Sequence, residues 1–253
     1  MAAEFEEKVA LVTGGSSGIG LAAAEAFARH GARTVIADVQ ADAGEKVAER
    51  IRSEGGQASF VTADVSDAGA VEAMVQHALD AYGGLDFAFN NAGVEGDMAN
   101  TIDCTEQNWD RTLAINLKSV WLCMKSEIPA MLQRDGGAIV NCASVAGLVG
   151  FRDLPAYCAS KGGIVELTRA TSLEYADAGI RVNSVCPGVI QTPMIDRLVA
   201  GNPEAEAQFK SLEPIGRLGR PEEIAESALW LCSAGASFVT GHALVADGGY
   251  VAQ

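Results

Sequence analysis

Residues Val9–Gly20 read Val-Ala-Leu-Val-Thr-Gly-Gly-Ser-Ser-Gly-Ile-Gly, a short apolar run that passes directly into a glycine-rich turn. An alanine-rich segment with helical character follows. A strand, a glycine turn and a helix N-terminus suit a pyrophosphate, because missing side chains let the backbone approach and free N–H groups attract negative charge. The spacing of Gly14, Gly18 and Gly20 is wider than in G-x-G-x-x-G, and by itself it also fits an ordinary turn before a helix.

The rest of the chain alternates between short apolar runs and longer segments with helical periodicity. The predicted strands are Val9–Thr13, Thr34–Asp38, Ala58–Ala63, Leu85–Asn90, Ala138–Cys142, Arg181–Cys186 and Ala243–Ala246. The predicted helices are Gly20–His30, Ala41–Glu54, Asp67–Tyr82, Thr105–Arg134, Ala156–Ala178 and Pro221–Ser233. Near-continuous apolar strands are typical of a parallel sheet covered on both faces. The pattern predicts an α/β fold, a Rossmann-type doubly wound parallel sheet of about seven strands with helices on both faces.

The length of 253 residues suits one large domain better than two small ones. No linker, internal repeat or low-complexity segment interrupts the sequence. We therefore expect a single domain over residues 1–253. Residues 201–213 lack clear periodicity, and we predict that an insertion near residues 190–215 covers the site as a substrate flap.

The composition disfavours nucleic-acid-binding, secreted, membrane and metal-binding proteins. The formal net charge is −15 and no Lys/Arg cluster is present, which disfavours nucleic-acid binding. The N-terminus is acidic where a secretory signal needs a basic flank, and no apolar run reaches the ~20 residues of a membrane helix. A soluble cytoplasmic protein without membrane contact is expected. The six cysteines form no C-x-x-C pair and have no histidine at ligand spacing, so no metal site is predicted.

Asp38 ends the second predicted strand, about 20 residues beyond the glycine turn, where a carboxylate can accept hydrogen bonds from adenosine ribose hydroxyls. The same carboxylate would repel a 2′-phosphate. No Arg or Lys lies within residues 14–20, and Arg33 opens the second strand instead of closing it. These features favour NAD over NADP, although a strand-end carboxylate can also simply be solvated.

Tyr157 and Lys161 are four residues apart in the predicted helix Ala156–Ala178, so they share one helix face. A tyrosine with a pKa of about 10 is a poor base at neutral pH. A lysine ammonium at roughly 4–5 Å would stabilise the phenolate by ~3–4 kcal/mol, enough to lower its pKa by about two to three units. Taken alone, this pair is also typical of an ordinary helix surface.

The position of Ser144 supports a catalytic role for Tyr157 and Lys161. It follows the predicted strand Ala138–Cys142 and precedes Tyr157 by 13 residues. The hydroxyl after the strand, the Y-x-x-x-K helix and the glycine turn all lie at the carboxyl edge of the predicted sheet, where α/β proteins bind ligands. The combination predicts proton transfer coupled to a nicotinamide cofactor.

At these residues the chain resembles the short-chain dehydrogenase/reductase family, in its short single-domain NAD-dependent branch, over nearly its whole length. Thr13–Gly20 resembles the cofactor turn, Asn90–Gly93 the segment that closes the fourth strand, and Pro187–Thr192 the segment that reaches the nicotinamide carboxamide. The cofactor residues implied by the resemblance are Gly14, Ser16, Ser17, Gly18, Ile19, Gly20, Asp38, Asp64, Val65, Asn91, Ala92, Gly93, Tyr157, Lys161, Pro187, Gly188, Val189 and Thr192.

The resemblance also implies four catalytic roles. Ser144 would orient the substrate oxygen, and Tyr157 would exchange the hydroxyl proton during hydride transfer. Lys161 would bind the nicotinamide ribose and depress the tyrosine pKa. Asn116 would hold a water that links Lys161 to solvent. No catalytic metal is implied.

The chain departs from the family pattern at two positions beside the catalytic residues. Ala143 replaces the first serine of the usual Ser-Ser pair, and Cys158 follows the tyrosine where a smaller residue is usual. We expect that thiol to make the enzyme sensitive to oxidation.

Family members are usually homotetramers, and Thr105–Arg134 and Ala156–Ala178 would be the helices that pair across subunits.

The expected substrate residues are Ser144, Val145, Phe151, Leu154 and Tyr157, with Glu95, Val189 and residues 194–212 around them. This mostly apolar lining favours oxidation or reduction between a secondary alcohol, hydrophobic or alicyclic and including diols, and its ketone. The alternatives are a 3-oxoacyl carrier-protein reductase, a sugar dehydrogenase, a longer epimerase or dehydratase of the same superfamily, and a nucleotide-binding regulatory subunit without chemistry. The complete catalytic set argues against the last of these.

Overall fold

Seven parallel strands form one sheet in the computed structural model, which describes residues 5–134, 136–199 and 201–253. The strands are β1 (Val9–Thr13), β2 (Arg33–Asp38), β3 (Gln57–Thr62), β4 (Phe87–Asn90), β5 (Gly137–Cys142), β6 (Ile180–Pro187) and β7 (Ala243–Ala246). Their order is β3-β2-β1-β4-β5-β6-β7. The order reverses between β1 and β4, so the carboxyl ends of these strands border the crevice where such sheets bind ligands.

Helices cover both faces of the sheet within the described ranges. They are α1 (Gly18–Arg29), α2 (Ala41–Ser53), α3 (Ala68–Tyr82), α4 (Glu106–Leu113), α5 (Ser119–Leu132), α6 (Pro155–Tyr175), α7 (Pro193–Val199), α8 (Pro203–Leu212) and α9 (Pro221–Cys232). Gly31, Gly55 and Gly83 follow the first three helices with positive φ, as their helix-ending positions predict. The predicted doubly wound α/β fold is confirmed.

Alternation along each strand divides the core into two layers. In β1, Ala10 and Val12 pack with α1, α2 and α9 on one face, whereas Val9 and Leu11 pack with α3, α5 and α6 on the other. All four side chains are fully buried. Because helices cover both faces of the sheet, the side chains on both faces of β1 are apolar. This strand could therefore be predicted from its continuous apolar run.

The predicted helix over Thr105–Arg134 is present over Glu106–Leu132, but it contains a π-helical turn that was not predicted. The segment consists of α4, a π-helical turn over Ala114–Lys118, and α5. The turn widens the helix at Asn116, whose side chain is committed to the backbone of Val94. Single π-turns inside helices are frequent at functional sites.

Residues 201–213 are more regular than predicted. Asn202 caps α8, since its side-chain oxygen accepts hydrogen bonds from the backbone of Glu204 and Ala205 at 2.9 and 3.4 Å. Pro203 occupies the first turn of that helix, where its missing N–H costs nothing. The helix is short and largely exposed, so its sequence carries little apolar periodicity.

No helix in the described ranges has both the length and the apolar character needed to cross a membrane.

Candidate active site

The glycine turn between β1 and α1 lies at the carboxyl edge of the sheet. Gly14 and Gly18 have φ values of 64° and 54°, a region that favours glycine. A Cβ on Gly20 would lie 2.1 Å from the Gly14 carbonyl oxygen, so that position accepts no side chain without a shift of backbone. Ser17 precedes α1 and its side chain makes no capping hydrogen bond. The turn therefore presents backbone N–H groups at the positive end of a helix, which suits a phosphate.

The segment after β4 holds this turn in place. The backbone N–H groups of Asn91 and Ala92 donate to Thr13 Oγ1 at 3.0 and 3.1 Å. The Asn91 side chain donates to the Thr13 carbonyl at 3.0 Å. These hydrogen bonds join the ends of β1 and β4 across the crevice.

Asp38 lies beside the turn, at the end of β2. It is 8% exposed, and its Oδ2 accepts hydrogen bonds from the Ser16 N–H at 3.1 Å and the Ser16 hydroxyl at 2.6 Å. Its other oxygen accepts from the Gln40 N–H at 3.0 Å. The Ala63 N–H donates to the Asp38 carbonyl, which places Asp64 and Val65 close to this corner. Val65 is buried, and exposed Asp64 accepts hydrogen bonds from Ser66.

Ser144, Tyr157 and Lys161 come together between β5 and α6. Lys161 is 4% exposed, and its Nζ donates to the Cys142 carbonyl at 2.8 Å and lies 5.7 Å from the centre of the Tyr157 ring. Ser144 follows β5, where its Oγ accepts a hydrogen bond from the Ala146 N–H at 3.1 Å. The Ser144 side chain also hydrogen-bonds Tyr157. Two hydroxyls and one ammonium thus surround the same small volume.

The electrostatics of Tyr157 differ from the prediction that Lys161 lowers its pKa. Burial is the largest effect and raises the pKa of Tyr157 above its usual value, while the hydrogen bond with Ser144 lowers it. The negative charge of Glu95 raises it further. Burial also lowers the pKa of Lys161. The Lys161 ammonium, whose Nζ donates to the Cys142 carbonyl, does not outweigh this effect of burial.

Asn116 lies next to this group in the π-helical turn. Its Oδ1 accepts the Val94 N–H at 2.8 Å, and its Nδ2 donates to the Val94 carbonyl at 2.9 Å and to Ser160 Oγ at 3.1 Å. A Cβ on Gly93 would lie 3.2 Å from Asn116 Oδ1 and 3.5 Å from Lys161 Nζ. Asn116 and Lys161 therefore flank the same glycine.

The segment after β6 closes the other side of the crevice. Thr192 packs against the glycine turn, because a Cβ on Gly18 would lie 3.2 Å from Thr192 Cγ2. The Val189 N–H donates to Glu213 Oε1 at 2.6 Å. Pro187 pairs with Ala246 of β7, and Gly188 donates to the carbonyl of that residue. The predicted Pro187–Thr192 segment therefore reaches the turn through Thr192.

The expected substrate residues lie in different settings. Val145 is buried, and Leu154 precedes α6. Phe151 is half-buried and stacks on Tyr250, with ring centres 5.6 Å apart and planes at 12°. The Phe151 N–H donates to Cys158 Sγ at 3.4 Å, so that thiol contacts the loop beside the site.

Nothing in the sequence indicated the contacts that three residues make near the site. Tyr250 follows a glycine pair near the C-terminus, and no local pattern indicates that its ring reaches Phe151. Arg197 of α7 forms an ion pair with Glu95 at 3.1 Å across 102 positions. Glu213 reaches Val189 from the end of α8. Long-range contacts of this kind leave no signal in residue spacing.

The residues present fit a nicotinamide dinucleotide: a glycine cradle that a Cβ would fill, a carboxylate at the end of β2, and a hydroxyl pair beside a lysine. Within the described ranges, no three His, Cys, Asp or Glu side chains are grouped to hold a metal ion.

Comparison with known proteins identifies the family. A family model described as enoyl-(acyl carrier protein) reductase matches residues 14–251. The chain is 43% identical over 253 residues to cyclohexanol dehydrogenase of Acinetobacter sp. (strain SE19), covering 100% of this chain and 98% of that protein. It is also 43% identical over 253 residues to cis-4-hydroxycyclohexanecarboxylate dehydrogenase of Sinomonas cyclohexanicum, covering 100% of both.

A solved structure gives the same result. The crystal structure of levodione reductase matches with a TM-score of 0.94 and 36% identity, covering 98% of this chain and 99% of that one. The resemblance predicted from the motifs is confirmed. The chain belongs to the short-chain dehydrogenase/reductase family and is an oxidoreductase that acts on CH–OH groups.

Proposed function

We propose that this protein is an NAD-dependent dehydrogenase that interconverts a secondary alcohol on an alicyclic ring, including ring diols, and the corresponding ketone. The observation that carries the proposal is the grouping of Ser144, Tyr157 and Lys161 beside a glycine cradle. The arrangement supplies a proton acceptor and an orienting hydroxyl at one point.

The proposed ring substrate has two supports. Two relatives 43% identical to the chain are named for acting on cyclohexanol and cis-4-hydroxycyclohexanecarboxylate. Val145, Phe151 and Leu154 offer an apolar wall, and Phe151 is held by its stacking on Tyr250. This apolar wall offers few hydrogen-bond partners for the many hydroxyls of a sugar, whose burial there would be costly.

The proposed chemistry follows from the hydroxyl pair. Ser144 hydrogen-bonds the substrate oxygen and orients it toward Tyr157. The Tyr157 phenolate takes the hydroxyl proton during oxidation, and the phenol returns it during reduction. When bound, NAD would supply the hydride acceptor for oxidation, and NADH would supply the hydride for reduction. Lys161 holds the nicotinamide ribose, and Asn116 holds a water that connects Lys161 to solvent.

The choice of NAD rests on Asp38. Its carboxylate already accepts hydrogen bonds from Ser16, so ribose hydroxyls can take the place of the Ser16 hydroxyl as donors. A 2′-phosphate would stand against this buried charge without an Arg or Lys in residues 14–20 to neutralise it.

The remaining cofactor contacts are part of the same proposal. Residues 14–20 cradle the pyrophosphate, and Asp64 and Val65 flank the adenine. Asn91, Ala92 and Gly93 border the adenosine ribose. Pro187–Thr192 reaches the nicotinamide carboxamide through its backbone and the Thr192 hydroxyl.

We propose a homotetramer as the working form. Leu113, Leu117, Trp121 and Leu167 line a concave apolar surface on α4, the π-helical turn, α5 and α6, and Trp121 is 45% exposed. A second copy of this surface would cover those side chains and form one of the two-fold interfaces of such a tetramer. We also propose that residues 1–253 form a single domain. In that domain, α7 and α8 would form a substrate flap. The predicted cytoplasmic location stays a prediction.

A carrier-protein reductase is the second candidate, because the matching family model carries such a description. An acidic carrier docks through basic surface residues, and the net charge of −15 opposes that contact. Initial rates with NAD and NADP separate the candidates when cyclohexanol, a ring diol, a linear secondary alcohol and a sugar are compared. Reduction of a 3-oxoacyl thioester with NADH and NADPH is measured beside them. We expect turnover of ring alcohols with NAD. A strong NADP preference, or activity confined to acyl thioesters, contradicts the proposal.

A further inference from the structure

A buried carboxyl group lies beneath the site, outside the catalytic set. Glu127 of α5 is 0% exposed. The Asn90 side chain donates a hydrogen bond to its Oε2 at 3.1 Å. Its second oxygen, Oε1, is buried and has no hydrogen-bond partner.

Asn90 has a matching unpaired atom. Its Nδ2 donates to Glu127 Oε2 and to Asn141 Oδ1, each at 3.1 Å. Its Oδ1 is buried without a partner. The two unpaired atoms of this side-chain pair are therefore one carboxyl oxygen and one amide oxygen, and both are acceptors.

A single proton on Glu127 would supply the missing donor. A neutral carboxylic acid has an O–H donor, and the Asn90 Oδ1 is an acceptor. Together with the existing N–H···O bond, an O–H···O bond would close a cyclic pair between the acid and the amide. An ionised carboxylate would instead leave two buried acceptors unpaired, at a high cost in desolvation.

The surroundings of Glu127 favour the neutral form. Burial raises the pKa of Glu127 to about 8, while the hydrogen bond from Asn90 lowers it. Asn90 faces it from β4, and Asn141, joined to Thr168 of α6 at 2.9 Å, from β5. Cys123 is its titratable neighbour on α5, and burial keeps the pKa of that thiol raised. None of these groups supplies a positive charge.

We propose that Glu127 is a positioning residue that acts as a neutral acid, closing a cyclic acid–amide pair with Asn90 and thereby fixing the carboxyl ends of β4 and β5. Its effect on cofactor binding rests on the proposed function; its protonation does not.

The path from Glu127 to the site is short on both strands. Asn90 is followed by Asn91 and Ala92, whose N–H groups hold Thr13 at the glycine turn. Asn141 is the register partner of Asn90 and precedes Cys142, whose carbonyl binds Lys161 Nζ at 2.8 Å. Loss of the acid–amide pair would loosen the cofactor cradle and the lysine together.

The test compares Glu127→Gln and Glu127→Ala with wild type, and uses Glu174→Gln, an exposed residue of α6, as the control. Glutamine replaces the O–H donor with an N–H donor, so it reproduces the cyclic pair at every pH. We expect Glu127→Gln to bind NADH within about twofold of wild type. Glu127→Ala removes the partner of one Asn90 N–H and leaves Asn90 Oδ1 without a donor. We expect its NADH Kd to rise about tenfold and its Tm to fall by roughly 5 °C.

Protonation is measured directly by two readouts independent of the cofactor. A raised native pKa means that wild type loses stability relative to Glu127→Gln as pH rises from about 4.5 and has lost it by about pH 8. The Tm of Glu127→Gln minus that of wild type should therefore grow between about pH 6 and pH 8 and level off above. Difference infrared spectra should show the carbonyl band of a protonated acid at neutral pH in wild type and not in Glu127→Gln.

Three results would overturn the proposal: a Tm difference that stays flat over this range, an ionised carboxylate band at neutral pH, or a Gln variant as impaired as the Ala variant. If Glu127→Ala does not fold, the Gln variant and the infrared band still decide. If wild type does not bind NADH at all, the proposed function fails while the two readouts continue to report on Glu127.

Discussion

Glu213 Oε1 accepts the backbone N–H of Val189 at 2.6 Å, which ties the end of α8 to the segment after β6. The side chain is enclosed between two glycines: a Cβ on Gly188 would lie 2.5 Å from Oε1, and a Cβ on Gly248 2.8 Å from Oε2. Glu213 is 3% exposed. A buried, charge-assisted hydrogen bond therefore connects the flap helices to the backbone that we assign to the nicotinamide carboxamide.

Replacement of Glu213 by alanine should impair cofactor binding more than the chemical step. The Val189 N–H would be left buried and unpaired, and its segment would no longer be held in one position. We expect the KM for NAD to rise about tenfold with a smaller change in kcat. Steady-state kinetics at a saturating concentration of alcohol measures both constants.

Glu213→Gln and Glu204→Ala are the controls. Glutamine keeps an oxygen that accepts the Val189 N–H and should restore most of the affinity. Glu204 is exposed on the same helix, and its replacement should change neither constant. A KM for NAD that is the same in Glu213→Ala and wild type would refute the role of this hydrogen bond.

We propose that Asp38 determines the cofactor preference. Asp38→Asn removes its negative charge and keeps the size of the side chain. The amide oxygen can still accept one of the Ser16 hydrogen bonds, but it no longer repels a 2′-phosphate. We expect the ratio of kcat/KM for NAD to that for NADP to fall by about 10-fold to 100-fold. An unchanged ratio in rates measured side by side, with wild-type thermal stability, would show that another group selects the cofactor.

The pH profile should respond in opposite directions to two neighbours of Tyr157. Burial raises the pKa of Tyr157, so the phenolate needed for alcohol oxidation accumulates only as pH rises, and the oxidation rate should climb into the alkaline range. Ketone reduction needs the phenol and should decline over the same range. The hydrogen bond of Ser144 lowers this pKa and the charge of Glu95 raises it.

We therefore expect Ser144→Ala to move the rising limb of oxidation to higher pH and Glu95→Gln to move it to lower pH. Profiles of kcat/KM for the alcohol report the ionisation of the free enzyme. Shifts of the same sign in both variants, or none in either, are incompatible with Tyr157 as the titrating base.

Most of the fold could be predicted because a doubly covered parallel sheet leaves a strong pattern. β1 and β7 begin and end where the apolar runs do, and Gly83 ends α3 with a φ of 78°. The π-helical turn could not be predicted from local periodicity, and the hydrogen bonds found at it join Asn116 to Val94, which is 22 residues away.

The site could be predicted as a set of residues but not as an electrostatic system. Spacing alone indicated that Tyr157 and Lys161 share a helix face, yet it could not show that the lysine would bond to the Cys142 carbonyl. The desolvation that raises the pKa of Tyr157 depends on three-dimensional burial. Glu127 and Asn90 meet across 37 positions, so their pairing also had no signature in spacing.

The most direct test of the central claim is Tyr157→Phe, assayed with NAD and a ring alcohol that wild type oxidises. The phenylalanine ring fills the same space without the hydroxyl that moves the proton, so we expect kcat to fall by about 10²-fold to 10⁴-fold. NADH binding, followed by fluorescence titration, should stay within about threefold of wild type. Turnover that persists near the wild-type rate in a variant that binds NADH normally would contradict the assignment of Tyr157 as the catalytic base.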